Sequence, residues 1–161
     1  MHRLERLRLL LPALWAGGLM ALALVGTPAP FATLAASDAG RVVARILTQE
    51  AYASLVFGMA LLLLERRAAR QAGAGAAKAE GSQFSAGFAL ALAAIFCTVL
   101  GHFAVQPLMP AARSGQGAFT FAQLHAASVA CYIVKTVLVL ALAWRNAGAA
   151  LRPPSFRRPS S

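Results

Sequence analysis

A chain of 161 residues that is 59% hydrophobic and only 12% charged has too little polar surface for a soluble domain of its size. Its length suits one four-helix bundle and leaves no room for a second domain. The net charge of +10 invites a nucleic-acid reading, but the basic residues sit at the ends of apolar runs and build no basic domain of their own.

Four apolar runs follow one another: Leu9–Val25, Ile46–Leu64, Phe84–Val105 and Ala126–Trp144. A run of about 20 apolar residues crosses a bilayer core as a helix. The expected fold is therefore all-α: a polytopic, four-transmembrane-helix bundle over residues 1–150. Its spans fall at about 7–26, 44–64, 84–106 and 124–145, followed by a disordered basic tail over 151–161.

The first run begins like a signal peptide, with basic residues before an apolar stretch. It is longer than a signal core, and Pro28 and Pro30 crowd the place where cleavage would fall, so a retained helix is expected. Pro12 should start or kink it.

The second run is the hardest to bound. Ser37 or Asp38 suits a helix N-terminus. Val42, Val43, Ile46 and Leu47 then read as amphipathic, with Arg41 and Arg45 on the wet side. Ala51–Leu64 alone is short for a crossing and has the length of a re-entrant segment. Extending the helix back to Ile46 restores a full span and places Glu50 inside it.

Ala68 to Gln83 is rich in Ala and Gly without apolar periodicity, and reads as a flexible connection. In run three Ala89, Ala93, Cys97 and Gly101 recur at fourth positions. In run four Ala122, Ala126 and Ala130 do, and run two has Ser54 and Gly58. Small residues at this spacing let helices approach closely in lipid. The Pro, Arg and Ser tail suits anionic headgroups. Each half reads as a hairpin whose outer turn carries a proline pair, Pro28 and Pro30, then Pro107 and Pro110, which hints at a parallel repeat.

The basic residues alternate sides. Eleven of fifteen fall in the N-terminus, the middle loop and the C-terminal segment, against Arg41, Arg45 and Arg113 on the other side. The positive-inside rule then puts both termini and the middle loop in the cytoplasm of a bacterium, with the protein in its inner membrane. Cys97 and Cys131 fall inside runs three and four, where free, buried thiols are expected.

Lys135 lies inside run four and is the one basic residue on neither side. Counting ten residues back from Arg145 puts it roughly 15 Å deep, near the midplane. Counting fifteen back from Glu65 puts Glu50 roughly 22 Å deep, leaving a gap of roughly 7 Å that a lysine bridges. Ser128, Cys131, Tyr132 and Lys135 share one helix face, and Glu50 and Ser54 share another. Glu50 and Lys135 are therefore expected to meet inside the bundle, either to fix helix orientation or to serve a transport or proton role.

His102 and His125 reach one level at the outer rim, with Gln106 and Gln123 near them. Two histidines on adjacent helices are ligands for a transition metal or for haem, and otherwise anchor loops by hydrogen bonds. No CxxC, HExxH or carboxylate cluster joins them, and no nucleophile stands beside a base.

With these residues in hand, the chain resembles the bacterial domain of unknown function numbered 4149, related to the eukaryotic transmembrane protein 205. Pro30-Phe31, Ala39 through Leu47, Glu50-Ala51-Tyr52, Gln106-Pro107-Leu108-Met109 and Phe121 through Ser128 carry the resemblance. The Leu124-His125 pair with Ser128 three residues on is the most specific piece. The resemblance covers the chain from run one to Arg145. It implies a four-helix integral membrane domain and names no reaction. A more distant similarity to copper-resistance and haem-related four-helix membrane proteins implies a metal or haem for the two histidines. Tyr132 and Lys135 depart from the family's neutral polar residues.

The expected function is that of a non-enzymatic membrane protein without a cofactor. It is a small-solute transporter or a partner in a membrane complex, surrounded by lipid and with no nucleic-acid partner. Homo-oligomers belong to the same reading. The alternatives are a haem- or metal-binding protein using His102 and His125, and a structural or assembly subunit.

Overall fold

A computed structural model describes residues 3–74 and 85–150. Among these residues the chain is 92% helical and has no strand. Four stretches are long and apolar enough to cross a membrane: Arg3–Thr33, Ala36–Gln71, Ala86–Arg113 and Phe121–Ala149.

The first stretch is built from α1, Arg3–Ala21, a π-helical turn over Leu22–Gly26 and a short α2, Pro28–Thr33. Pro12 neither starts α1 nor ends it. It sits buried inside the helix, nine residues past the helix start. The π turn closes when the backbone N–H and the hydroxyl of Thr27 both donate to the Leu22 carbonyl, each at 2.8 Å. Pro28 then opens α2, where a missing N–H costs nothing.

Helix α3 runs unbroken over Ala36–Ala74. Its 39 residues span about 58 Å, roughly twice a bilayer core. The amphipathic start and the short apolar run are thus one element, long and apolar enough for a full span. Ser37 and Asp38 do not cap it, because the helix begins at Ala36. Asp38 instead pairs with Arg41 one turn on. At its other end α3 continues through the stretch read as a flexible connection as far as Ala74; residues 75–84, Lys78 among them, lie outside the described residues, as does the tail over 151–161. Ala, Arg and Gln are strong helix formers, so apolar periodicity was never required there.

Helix α4, Ala86–Thr98, is capped by Ser85, whose hydroxyl accepts the Phe88 N–H at 3.1 Å. A second π-helical segment, Val99–Val105, follows, then a 3₁₀ turn at Gln106–Leu108 and a short α5, Met109–Arg113. Both halves therefore pass from a long helix through a π segment to a short, proline-led helix. Gly115 and Gly117 turn the chain with φ of 72° and 111°, values that other residues rarely adopt. Helix α6, Phe121–Ala150, closes the fold. The Thr120 hydroxyl accepts the Gln123 N–H at 3.3 Å, and the Gln123 side chain accepts the Thr120 N–H at 3.0 Å, a reciprocal capping box.

The long helices pack in a ring, α1 on α3, α3 on α4, α4 on α6 and α6 on α1. Large apolar side chains such as Leu14, Leu24, Val56, Phe96 and Trp144 face outward, while Glu50, Ser54, Glu65, Lys135, Thr136 and Asn146 are buried. Apolar side chains facing out, with these ionisable and polar ones kept inside, is the arrangement a bilayer demands.

Small residues mediate the packing at Ser54, Gly58 and Gly101, as their spacing suggests, but elsewhere on α4 and on α6 a different face is buried. The buried residues from α4 into the π segment are Gly87, Ala91, Ala94, Thr98 and Gly101, whereas Ala89 is exposed. A Cβ at Gly58 would lie 2.5 Å from Ile95 Cγ1, so Gly58 admits Ile95. Ala122, Ala126 and Ala130 are all exposed, and α6 buries Leu124, Lys135, Val139 and Leu142 instead.

Candidate functional site

Helix α3 brings Glu50 and Ser54 onto one face, one turn apart, and α6 places Lys135 opposite them. The Lys135 ammonium donates to Glu50 Oε1 at 2.7 Å and to Oε2 at 2.8 Å, and reaches Ser54 Oγ at 3.5 Å. The Ser54 hydroxyl donates to Glu50 Oε1, and the Trp15 indole N–H donates to Ser54 Oγ at 2.9 Å. Lys135 is 3% exposed and Glu50 9%, so the expected pair is formed, and formed away from solvent. Burying two charges is sustained only when their geometry is good and their remaining hydrogen-bonding capacity is satisfied. Ser54 and Trp15 supply that satisfaction here.

Lys135 also lies over the ring of Tyr132, with Nζ 4.8 Å from the centroid. Tyr132 is held there by donating its hydroxyl to the Leu19 carbonyl at 2.8 Å. Thus α1, α3 and α6 each contribute a polar group to one network.

A cleft of about 40 Å³ rises from this pair between α3, the second π segment and α6. Its lining includes Cys97, His102, Gln106, Ser128 and Cys131, besides the pair itself. Both cysteines are free and half-buried. The Tyr52 and Phe103 rings meet the His102 ring edge-on, with centroids 6.3 and 4.9 Å away.

The other rim residues take different partners. Gln106 lines the cleft with His102. His125 is exposed, does not line the cleft, and stacks on Phe121 at 5.8 Å. Gln123 is engaged in capping α6. Among the described residues no three His, Cys, Asp or Glu side chains converge as metal ligands.

A second buried ionic cluster escaped the sequence reading. Glu65, 1% exposed, takes a forked bond from Arg8, with Nε and Nη2 at 2.9–3.0 Å from its oxygens. Ser85 and Asn146 approach the same carboxylate at 3.5 and 3.4 Å. A Cβ at Gly87 would overlap the Glu65 carboxylate and come within 2.8 Å of Arg145 Nη1, so glycine makes room for both. All four long helices meet at this cluster. Between it and the Glu50–Lys135 pair lie Leu61, Ala91, Ala94, Val139 and Leu142, each fully buried. The one trace in the sequence is a lone glutamate beside arginines at a run end, which reads as an ordinary interfacial charge.

The pattern described as Domain of unknown function (DUF4149) matches residues 10–118. Glu50, Ser54, Glu65 and His102 lie within the matched residues, and Tyr132, Lys135 and Asn146 beyond them. The Phe121–Ser128 stretch also lies beyond. No curated protein matches the chain, and no solved structure does.

Proposed function

The chain belongs to the DUF4149 family, and for this member we propose a small-solute transport role centred on the Glu50–Lys135 pair. The observation that carries it is a cleft of about 40 Å³ lined by both members of the buried pair. A pair serving orientation alone needs no cleft beside it. Ionisable groups at membrane depth are costly, and those that persist there mark solute or proton paths.

In this reading the protein is a multi-pass component of a bacterial inner membrane and performs no covalent chemistry. It needs no resident cofactor. The basic excess at the ends of α1, α3 and α6 orients both termini and the middle loop to the cytoplasm. The cleft then opens toward the periplasm. Its small volume suits water, a proton or a small ion and excludes metabolites of ordinary size.

The test is flux in sealed proteoliposomes under an imposed potential, with protons, sodium and potassium as separate probes. Flux of one of these above protein-free liposomes, lost in Lys135→Met, is the expected result. No flux of any probe through folded protein sinks the transport role.

A further inference from the structure

We infer that the cleft is a one-sided proton-loading site for Glu50, filled from the end of the bundle that carries Gln106. This rests on the transport reading and deepens it by naming the solute and its entrance.

Three polar side chains in the lining, His102, Gln106 and Ser128, make no hydrogen bond within the protein among the described residues. They stand between the pair and the Gln106 end. A volume of about 40 Å³ holds about three waters, enough to link these groups to the pair. In the opposite direction the described residues are packed and apolar. Leu61, Ala91, Ala94, Val139 and Leu142 are fully buried, and the Arg8–Glu65–Asn146 cluster closes the bundle behind them.

The groups facing Glu50 fit a proton as cargo. Its own helix offers Ser54 as a donor; α1 offers the Trp15 indole through Ser54. Helix α4 and its π segment bring Cys97 and His102, and α6 brings Cys131, Tyr132 and Lys135. Lys135 is the one lysine or arginine among them. A proton delivered by cleft water adds to a Glu50 carboxylate oxygen, giving a neutral acid beside an ammonium. The ammonium then keeps Ser54 and the face of Tyr132 at 4.8 Å but loses its counter-charge, so the loaded state is the less stable of the two. Loss of the same proton to water restores the pair. Tyr132 thus holds the lysine in both conditions, which explains an aromatic ring tied to the Leu19 carbonyl at this depth.

The two native cysteines line the cleft and report on its access without substitution. Spheroplasts and inverted vesicles present opposite faces. Silver ion, small and impermeant, is added to each, and thiols it has not reached are counted by alkylation after denaturation. Acid jumps on each face are followed by infrared absorption of the protonated carboxyl. Glu50→Asp keeps a carboxyl and shifts that band, identifying it even where Glu50→Gln does not fold. Silver protection of Cys97 and Cys131 and a rise in the Glu50 band are expected from the Gln106 face alone. His102→Leu and Ser128→Ala should slow the rise without removing it. Access from both faces, or a band indifferent to acid on the Gln106 face, overturns the inference whatever the flux assay returns. Absent flux with one-sided loading intact removes the transport role alone.

Discussion

The Asn146 amide donates to the Arg8 carbonyl at 2.8 Å, and Arg8 is the residue whose helical donor Pro12 removes. A proline inside a helix leaves the carbonyl four residues back without an N–H. Here a side chain from α6 fills that vacancy across the bundle. The same amide reaches Glu65 at 3.4 Å, so one residue serves both the broken ladder and the buried acid.

Asn146→Ala should therefore destabilise the protein by about 1–2 kcal/mol, since a partly buried carbonyl loses its donor. Pro12→Ala restores a backbone donor to that carbonyl. The cost of Asn146→Ala should shrink in the Pro12→Ala background. A double-mutant cycle in thermal or denaturant unfolding measures the coupling. Equal costs in both backgrounds would show that Asn146 acts through Glu65 alone.

Removing one partner of the Glu50–Lys135 pair strands the other. Glu50→Gln or Lys135→Met should each cost about 3–5 kcal/mol, and the double variant E50Q/K135M less than either. The exchange E50K/K135E should retain folding, because both charges remain buried face to face. An exchange as damaging as either single change contradicts the pairing.

Glycines divide by what lies beside them. Gly87→Ala drives a methyl into the Glu65 carboxylate and should cost about 1–3 kcal/mol while loosening the Arg8 fork. Gly17→Ala and Gly18→Ala meet nothing within 4 Å and sit inside α1, so they should gain up to about 1 kcal/mol. Comparative melting in one detergent separates the two groups.

Depth counting was enough to bring Glu50 to Lys135, because arginines and glutamates at run ends act as rulers and the rise per residue is constant. The same counting leaves the rim undetermined. It set His102 and His125 at one level but says nothing of rotation about the helix axis, and His125 faces outward onto Phe121. The Arg8–Glu65–Asn146 cluster was illegible for a related reason. Charges at run ends are the default at a membrane interface, so nothing marks a particular one as buried. The packing face of α4 was missed because alanine occurs on every face of that helix, and composition cannot rank faces it does not distinguish. Pro12 shows tertiary context overriding local propensity, since only a partner on a distant helix makes a mid-helix proline tolerable there.

The second span gives the sharpest topological prediction. Read by apolar length alone, Ala51–Leu64 is too short to cross. In the fold it belongs to the 39-residue α3, whose start carries Arg41 and Arg45 and whose far end carries Arg66, Arg67 and Arg70. Those two basic groups stand at opposite ends of one continuous helix, with Glu50 held between them by Lys135. Reporter fusions after Arg45 and after Arg70 should consequently report opposite compartments, the Arg70 fusion on the cytoplasmic side. In a Lys135→Met background the Glu50 charge loses its only buried cationic partner among the described residues, and the helix should insert less completely. A fraction of Arg45 fusions should then shift to the side of Arg70. Identical distributions in both backgrounds would mean that α3 crosses by hydrophobicity and basic flanks alone, with the ion pair formed afterwards.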